Sequence, residues 1–317
     1  MALADIASRR SLSLRLNLSS AAISGWANGL YLPMFNHIQK LAEWSDLCVE
    51  WIWTGRGPKR IAETYLPETS KLTGAKIHSG KTAVITGGTS GIGSAIADAL
   101  SANGANIHLI GRNEKRLKER KEKLVKIYDN QVTIHSADFA NSKECIPAIE
   151  RLARSETSID FLIHAAGDIH IDTIESTSIE RADEVLSINF RTPYLLTHLL
   201  IKKLRASSAA IIFINSSVSQ QTGKHSLAAY GASKLALKGF SESLRAEENK
   251  NGIKVINIYP GRTATPMQEK IYRRENKNYQ AGSLLQAHEV ATTVINAINT
   301  SATAEITDIE IRPFINN

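Results

Sequence analysis

A glycine-rich segment at residues 82–93, TAVITGGTSGIG, constrains the fold of this chain more than any other stretch. Residues 83–85 are apolar, as in a strand buried in a parallel sheet, and residues 94–100 carry apolar side chains at helical spacing. Between them, Gly87, Gly91 and Gly93 allow a tight turn, a close backbone approach to a pyrophosphate and tight packing of helix on strand. The segment therefore predicts a strand, a turn and an anion-binding helix start, although a plain strand–helix turn also uses glycine.

A second strand pattern, Asn106–Ile110, ends in Gly111-Arg112-Asn113. In a dinucleotide-binding fold this is the place where the chain meets the adenosine ribose. An acidic side chain here would accept hydrogen bonds from the ribose hydroxyls of NAD, whereas the guanidinium of Arg112 can pair with a 2′-phosphate. Arg112 therefore favours NADP over NAD as the cofactor.

Strand and helix patterns continue to alternate along the rest of the chain. We predict strands at Gln131–Ser136, Phe161–His164, Ile211–Asn215, Val255–Tyr259 and Ile306–Ile311, and helices at Lys115–Tyr128, Lys143–Arg154, through Asn189 and Leu200, and at Tyr230–Asn249. Such alternation predicts an α/β fold with right-handed crossovers, a Rossmann-like doubly wound parallel sheet covered by helices on both faces. Ligands of such a sheet bind beyond the carboxyl ends of its strands.

A tyrosine and a lysine on one predicted helix point to the chemistry. Tyr230 and Lys234 are one helical turn apart, so the phenol and the ammonium group share a helical face. A neighbouring cation favours the phenolate, which would lower the tyrosine pKa from about 10 toward a value useful at neutral pH. Ser217, 13 residues before Tyr230, could reach the same substrate oxygen. Asn189 could hold a water or a backbone group near the lysine.

From about Ser79 to Pro313 the chain resembles the short-chain dehydrogenase/reductase family in its NADP-using form. The matching motifs are TGGTSGIG at 86–93, HAAG at 164–167, Asn189 in SINF, Ser217 in INSSVS, YGASK at 230–234 and PGRTAT at 260–265. A lone Tyr-x-x-x-Lys pair occurs on many helices by chance, but its combination with the serine, the asparagine and the glycine loop is specific.

This resemblance implies roles for individual residues. Tyr230 would be the general acid or base, and Lys234 would lower its pKa and hold the nicotinamide ribose. Ser217 would orient the carbonyl, and Asn189 would anchor a proton-relay water. Asp138 would lie beside the adenine, and the backbone of Thr263 would meet the nicotinamide carboxamide. The predicted cofactor contacts are Gly87, Thr89, Ser90, Gly91, Ile92, Gly93, Arg112, Asp138, Ala165, Ala166, Gly167, Tyr230, Lys234, Pro260, Gly261 and Thr263.

Two features depart from the family pattern or add to it. His164 replaces the asparagine of the usual NAAG motif, and we interpret it as a hydrogen-bonded structural residue in preference to a catalytic one. The segment after PGRTATP, which normally covers the substrate, carries Lys270, Arg273, Arg274 and Lys277. These side chains could attract an acidic substrate or form the solvated surface of a lid.

Residues 1–58 show no strand pattern, and their apolar residues recur at helical spacing, which predicts a small all-α module. Leu16–Pro58 resembles the helix-turn-helix domain of phage repressors and Cro-like regulators, in the LNLS turn, in ISGW-x-NG and in EWIWTGRGP. The resemblance places the helix that begins at Ser19 in the DNA major groove. Because this helix holds no Arg, Lys or Gln to read bases, DNA binding and a dimerisation or docking role both stay open.

The remaining sequence features concern the domain boundary, the net charge, the location of the protein and its cysteines. Residues 59–79 mix charge, Pro, Ser and Thr without apolar periodicity, so we predict a linker to a dehydrogenase/reductase domain at 80–317. A net charge of +7 permits an acidic partner without requiring one. No run reaches membrane-spanning length and no secretory signal is recognisable, which favours a cytoplasmic protein. Cys48 and Cys145 are too few and scattered to predict a disulfide framework or a metal site.

The leading hypothesis is an NADP(H)-dependent short-chain oxidoreductase that moves hydride between nicotinamide and a small-molecule carbonyl or secondary alcohol. Reduction is favoured by analogy with NADP-using relatives, which usually form homodimers or homotetramers. The alternative is a transcription regulator that senses NADP(H) or a metabolite and binds an operator through residues 1–58. A complete catalytic set favours the enzyme, because a pure sensor would not need Tyr230 and Lys234 together.

Overall fold

The computed structural model describes Ser19, residues 76–220, Gly223, and residues 225–301 and 303–314. The chain divides into two units between Leu72 and Thr73, and every described residue except Ser19 lies in the second unit. The predicted helix-turn-helix module and most of the predicted linker lie outside the described residues, and both stay predictions.

Strands and helices alternate through the described part of the chain. The strands are β1 (Thr82–Thr86), β2 (Asn106–Gly111), β3 (Val132–Ser136), β4 (Phe161–His164), β5 (Ala210–Ile214), β6 (Lys254–Pro260), β7 (Thr263–Ala264), β8 (Leu285–Gln286) and β9 (Asp308–Ile311). The helices are α1 (Gly91–Ala102), α2 (Glu114–Tyr128), α3 (Ser142–Ser155), α4 (Ile179–Leu186), α5 (Thr192–Arg205), α6 (Ala228–Glu248), α7 (Pro266–Arg274) and α8 (Ala287–Ile298). None of these helices is long and apolar enough to cross a bilayer.

Seven strands form one parallel sheet in the order β3-β2-β1-β4-β5-β6-β9. The strand order reverses at β1, which pairs with β2 on one side and with β4 on the other. In doubly wound sheets a crevice opens at such a reversal, beyond the carboxyl ends of the strands. The Rossmann-like parallel sheet predicted from the alternating pattern is confirmed.

The central strands are buried because helices cover both faces of the sheet. All five residues of β5, AIIFI, are buried, as are four of the five residues of β1. On one face, Leu152 of α3, Leu200 of α5 and Leu237 of α6 belong to one apolar cluster with residues of the sheet. On the other face α1 packs against α8. A continuous apolar run suits a strand that is shielded from water on both sides.

The predicted long helix through Asn189 and Leu200 consists of three elements. α4 ends at Leu186, a π-helical turn follows at Ser187–Arg191, and α5 continues from Thr192. A π-helical turn inserts an extra residue into the helix and is frequent at functional sites. Here the turn holds Asn189, which is fully buried.

His164 lies at the end of β4, in the centre of the sheet. Its Nε2 atom is 3.0 Å from Oγ1 of Thr197, and its ring stacks on Phe213 at 4.8 Å between centroids. Because Thr197 Oγ1 donates its own proton to the Pro193 carbonyl, the imidazole Nε2–H is the donor in the first bond. Burial lowers the pKa of His164 to about 3. These contacts support the structural interpretation of this histidine.

Acid should destabilise the fold through His164. Its folded pKa lies below the ordinary value of 6.5, so its contribution to stability is complete above that pH and is lost as the pH falls toward about 3. One such group changes the free energy of unfolding by up to about 1.4 kcal/mol per pH unit in this window. We expect His164→Asn to flatten the decline measured by urea unfolding between about pH 7 and about pH 5. The exposed His198→Asn serves as control, and an unchanged slope in His164→Asn would contradict the assignment.

Candidate active site

The glycine loop packs tightly against the end of β4. Gly87 has a φ of +69°, and a Cβ atom there would lie 2.8 Å from the backbone nitrogen of Ala166. A Cβ atom at Gly93 would lie 2.5 Å from the Gly87 carbonyl oxygen. The Thr86 hydroxyl, which the sequence analysis did not single out, accepts hydrogen bonds from the backbone N–H groups of Ala165 and Ala166 at 3.2 and 3.1 Å. Glycine is therefore required here by close approach as well as by backbone conformation.

Helix α1 begins directly after this loop. Its first turn holds no acidic residue, and the side chain of Ser90, its N-cap residue, does not bond the helix N–H groups. A helix N-terminus with free N–H groups and a positive dipole end binds anions. The loop and the start of α1 can thus hold a pyrophosphate, as the glycine spacing predicts.

The end of β2 presents two arginines to the same cleft. Arg112 and Arg116 are exposed, both line the cleft, and neither forms an ion pair with another described residue. The Asn113 side chain caps α2 by accepting a hydrogen bond from the Arg116 N–H at 3.0 Å, which fixes the start of that helix. The strand pattern points to Arg112 alone, and Arg116 lines the same cleft because α2 begins at Glu114.

The predicted cofactor contacts converge on this cleft. All sixteen line it, including Asp138 after β3, Ala165–Gly167 after β4, and Pro260, Gly261 and Thr263 after β6. Gly91 and the segment after β6 lie close together, because a Cβ atom on Gly91 would be 3.1 Å from Cγ2 of Thr265. The carboxyl ends of β1, β2, β3, β4 and β6 therefore border one cleft.

Lys234 is buried beneath this crevice. Only 4% of the residue is exposed, and its Nζ atom donates to the Ile214 carbonyl oxygen at 2.9 Å. Burial lowers the pKa of Lys234 to about 8. An ammonium group has three donors, so this bond leaves two for other acceptors in the cleft.

Tyr230 lies one turn earlier on α6 and is also buried. Burial raises the pKa of its phenol above the usual 10, and a hydrogen bond with the Ser216 side chain opposes this shift in part. The pKa of Tyr230 is therefore raised, and the lowering by Lys234 that the sequence predicts is not found. The Lys234 Nζ atom is 6.0 Å from the ring centroid, and loss of water disfavours the phenolate more than the neighbouring groups stabilise it.

Asn189 lies behind the cleft and organises the chain after β4. Its amide accepts from the Asp168 N–H and donates to the Asp168 carbonyl, both at 2.8 Å, and it also donates to Ser233 Oγ at 2.9 Å. A Cβ atom at Gly167 would lie 3.5 Å from Asn189 Oδ1 and 3.8 Å from Lys234 Nζ. The backbone group that the sequence analysis expected near the lysine is thus Asp168.

Two adjacent serines follow β5, and they differ in their contacts. Both line the cleft, and the Ser216 side chain lowers the pKa of Tyr230 in part through a hydrogen bond; the role predicted for Ser217 stays a prediction. Ser216 has extended backbone geometry, and its hydroxyl accepts from the Val218 N–H at 3.2 Å, which caps a short 3₁₀ turn at Ser217–Ser219.

The basic residues after β6 do not face the cleft. These are Lys270, Arg273, Arg274 and Lys277, none of which lines it. Arg274 pairs with Asp172 at 2.6 Å, and the Asp172 N–H donates to the Ser226 carbonyl at 2.9 Å. Two of the others pair with nearby glutamates, Glu269 and Glu275. This arrangement supports the solvated lid over attraction of an acidic substrate.

Comparison with known proteins identifies the family. The chain matches the family described as short chain dehydrogenase over residues 81–276. It belongs to the short-chain dehydrogenase family. An uncharacterized oxidoreductase of Staphylococcus epidermidis is 33% identical over 234 residues, which are 74% of this chain and 97% of that protein. The family makes the chain an oxidoreductase and confirms that part of the sequence analysis.

Solved structures of the same fold carry nicotinamide cofactors. L-sorbose reductase from Gluconobacter frateurii, complexed with NADPH and L-sorbose, is 27% identical with a TM-score of 0.68, over 74% of this chain and 96% of that one. A putative NAD(P) dependent gluconate 5-dehydrogenase from Beutenbergia cavernae, with bound NADP, is 26% identical with a TM-score of 0.67, over the same shares of the two chains. The similarity to these solved structures covers about three quarters of the chain.

Replacement of each serine should separate their roles in this short-chain dehydrogenase. We expect Ser216→Ala to lower kcat by about 100-fold, since it removes a hydroxyl that bonds the Tyr230 phenol, and Ser217→Ala to lower it by less than about 10-fold. The measurement is the rate of NADPH oxidation with a panel of ketones and aldehydes. A larger loss in Ser217→Ala than in Ser216→Ala would return the role to Ser217.

Proposed function

We propose that this chain is an NADP(H)-dependent oxidoreductase that transfers hydride between nicotinamide and a carbonyl or secondary alcohol carbon. The observation that carries the proposal is the buried Tyr230–Lys234 pair, which opens onto the glycine-lined crevice beyond the carboxyl ends of the strands. A phenol, a hydroxyl and an ammonium group at one end of a dinucleotide site form the donor set that carbonyl reduction needs.

The crevice fits a dinucleotide at each of its parts. Gly87 and Gly93 leave room for close backbone approach, and the first turn of α1 offers N–H groups to a pyrophosphate. Lys234 has donors for the ribose hydroxyls, and Arg112 has a guanidinium for a 2′-phosphate. The cofactor supplies the hydride when it is bound. The side chains of the protein transfer the proton and orient the substrate.

Proton transfer is assigned to Tyr230. Because burial raises the pKa of its phenol, the side chain is protonated at neutral pH and suits proton donation to a carbonyl oxygen. The Ser216 hydroxyl adds a second hydrogen bond to that oxygen as negative charge develops on it. Asn189 fixes the Asp168 backbone beside the reacting groups. These roles favour reduction as the working direction.

Tyr230→Phe tests the proposed reaction. We expect it to abolish NADPH oxidation by every carbonyl compound in a panel while leaving NADPH affinity within about threefold of wild type, because the phenol acts on the substrate oxygen. Steady-state rates and fluorescence titration of NADPH measure the two effects. A variant that keeps more than a small fraction of wild-type kcat would remove Tyr230 from this role.

Arg112→Asp tests the choice of cofactor. We expect NADPH affinity to fall by at least about 100-fold and NADH affinity to stay within about threefold, because the change places a carboxylate opposite the 2′-phosphate. Lys115→Asp is the matched control, because Lys115 is exposed in the first turn of α2, three residues after Arg112, and does not line the cleft. Equal losses for both cofactors in Arg112→Asp, or the same loss in Lys115→Asp, would argue against a phosphate contact.

Self-association and the regulator alternative complete the proposal. Tyr194 on α5 and Leu235 on α6 are 52% and 40% exposed although both are largely apolar, which supports pairing of these helices in a homodimer or homotetramer.

Operator binding depends on residues 1–58 and therefore lies outside the described residues. It stays a prediction, as does the cytoplasmic location.

A further inference from the structure

The cleft continues past Tyr230 into a region walled by three loops. The loop after β4, the loop before α6 and the segment around α7 contribute six apolar side chains that line the cleft: Ile169, Ile171, Val218, Leu227, Met267 and Ile271. All six are partly exposed and stand outside the buried core. Apolar side chains that face a cavity from several directions are typical of a site for an apolar ligand.

Two groups of charged side chains lie in the same region, and Glu275 pairs with Lys277 as well as with Arg262, while Arg181 pairs with Glu184 as well as with Asp168. Arg262 is 3.2 Å from both carboxylate oxygens of Glu275, and its guanidinium carbon lies 5.0 Å from the centroid of the Tyr272 ring. Asp168 is 2.5 Å from Arg181. Each charge that lines this part of the cleft therefore has a partner of opposite sign among the described residues.

From this wall we infer that the substrate is an uncharged, predominantly aliphatic ketone or aldehyde, or the corresponding alcohol. The inference rests on the proposed function and names its substrate class. A carboxylate placed among these apolar side chains would lose water without gaining a cation, because Arg262 is already engaged. A polyhydroxylated substrate would need a hydrogen-bond partner for each hydroxyl group, and the six apolar side chains supply none, so that Ser217 and Gln268 would have to serve them all.

Unreactive ligands test this class independently of turnover. The probes are hexanamide and hexanoate, which share a chain and differ in charge, titrated calorimetrically into the protein saturated with NADP⁺. We expect hexanamide to bind at least about 10-fold tighter than hexanoate, and each methylene added to the amide to tighten binding by about fourfold. Equal or tighter binding of hexanoate, or no gain with chain length, would overturn the inference.

A single carboxylate should control the discrimination against anions. Glu275→Gln removes the carboxylate that pairs with both Arg262 and Lys277, so hexanoate should bind about 10-fold tighter while hexanamide changes little. Glu269→Gln is the matched control, since Glu269 pairs with Arg273 and does not line the cleft. An unchanged ratio of the two affinities in Glu275→Gln would contradict the assigned role of the Arg262–Glu275 pair.

Turnover separates this inference from the proposed function. With NADPH, the expected order of kcat/KM is methyl hexyl ketone above a keto acid of equal chain length and above a ketohexose. A preference for the keto acid or the ketohexose would overturn the substrate class and leave the proposed reaction intact. Ligand binding in the expected order without any NADPH oxidation would overturn the proposed reaction and leave the ligand class standing.

Discussion

The close approach of the glycine loop to the end of β4 is the constraint on which the rest of the site depends. The backbone of Gly87 meets that of Ala166 at a distance that leaves no room for a side chain, and the Thr86 hydroxyl joins the two strands by accepting two backbone N–H groups. This contact sets the depth of the crevice between β1 and β4. The start of α1 packs on the same strand end, because a Cβ atom on Gly93 would lie 3.1 Å from Cβ of Ala165, and Gly167, two residues further on, lies close to both Asn189 and Lys234. One packing contact therefore relates the anion-binding end of the cleft to its reactive end.

Burial decides the protonation of the reactive groups more than their mutual interaction does. It raises the pKa of Tyr230 and lowers the pKa of Lys234, so that it favours the neutral form of both side chains. The sequence places the two residues one turn apart and from this alone predicts stabilisation of the phenolate by the ammonium group. The burial of the two side chains depends on how the helix packs in the tertiary structure, and it cannot be predicted from the spacing of residues within one helix.

The strongly periodic parts of the sequence predicted their structures well. The strands of the parallel sheet and the helix at Glu114–Tyr128 lie within about two residues of their predicted ends, since long apolar or amphipathic patterns dominate local alternatives. The site residues that carry recognisable motifs also line the predicted cleft.

Features that arise from contacts between distant segments were missed. α8 was not predicted. Its apolar face packs on α1, and the sequence of α8 alone does not indicate this contact. The pairing of Arg262 with Glu275 depends on where α7 ends. A sequence pattern indicates that a segment is helical or extended, but it does not measure the distance between two such segments.

The cross-linking of the loops by Asp172 has a kinetic consequence. This residue contacts Arg274 through its side chain and the loop before α6 through its backbone, so all three segments that wall the substrate region share it. A displacement of one segment would break a contact that also restrains the others, so the three segments are coupled through this residue. Because the shared contact includes an exposed ion pair, dissolved salt weakens it. The rate at which even an uncharged molecule enters would then rise with ionic strength, although the ligand itself carries no charge to be screened.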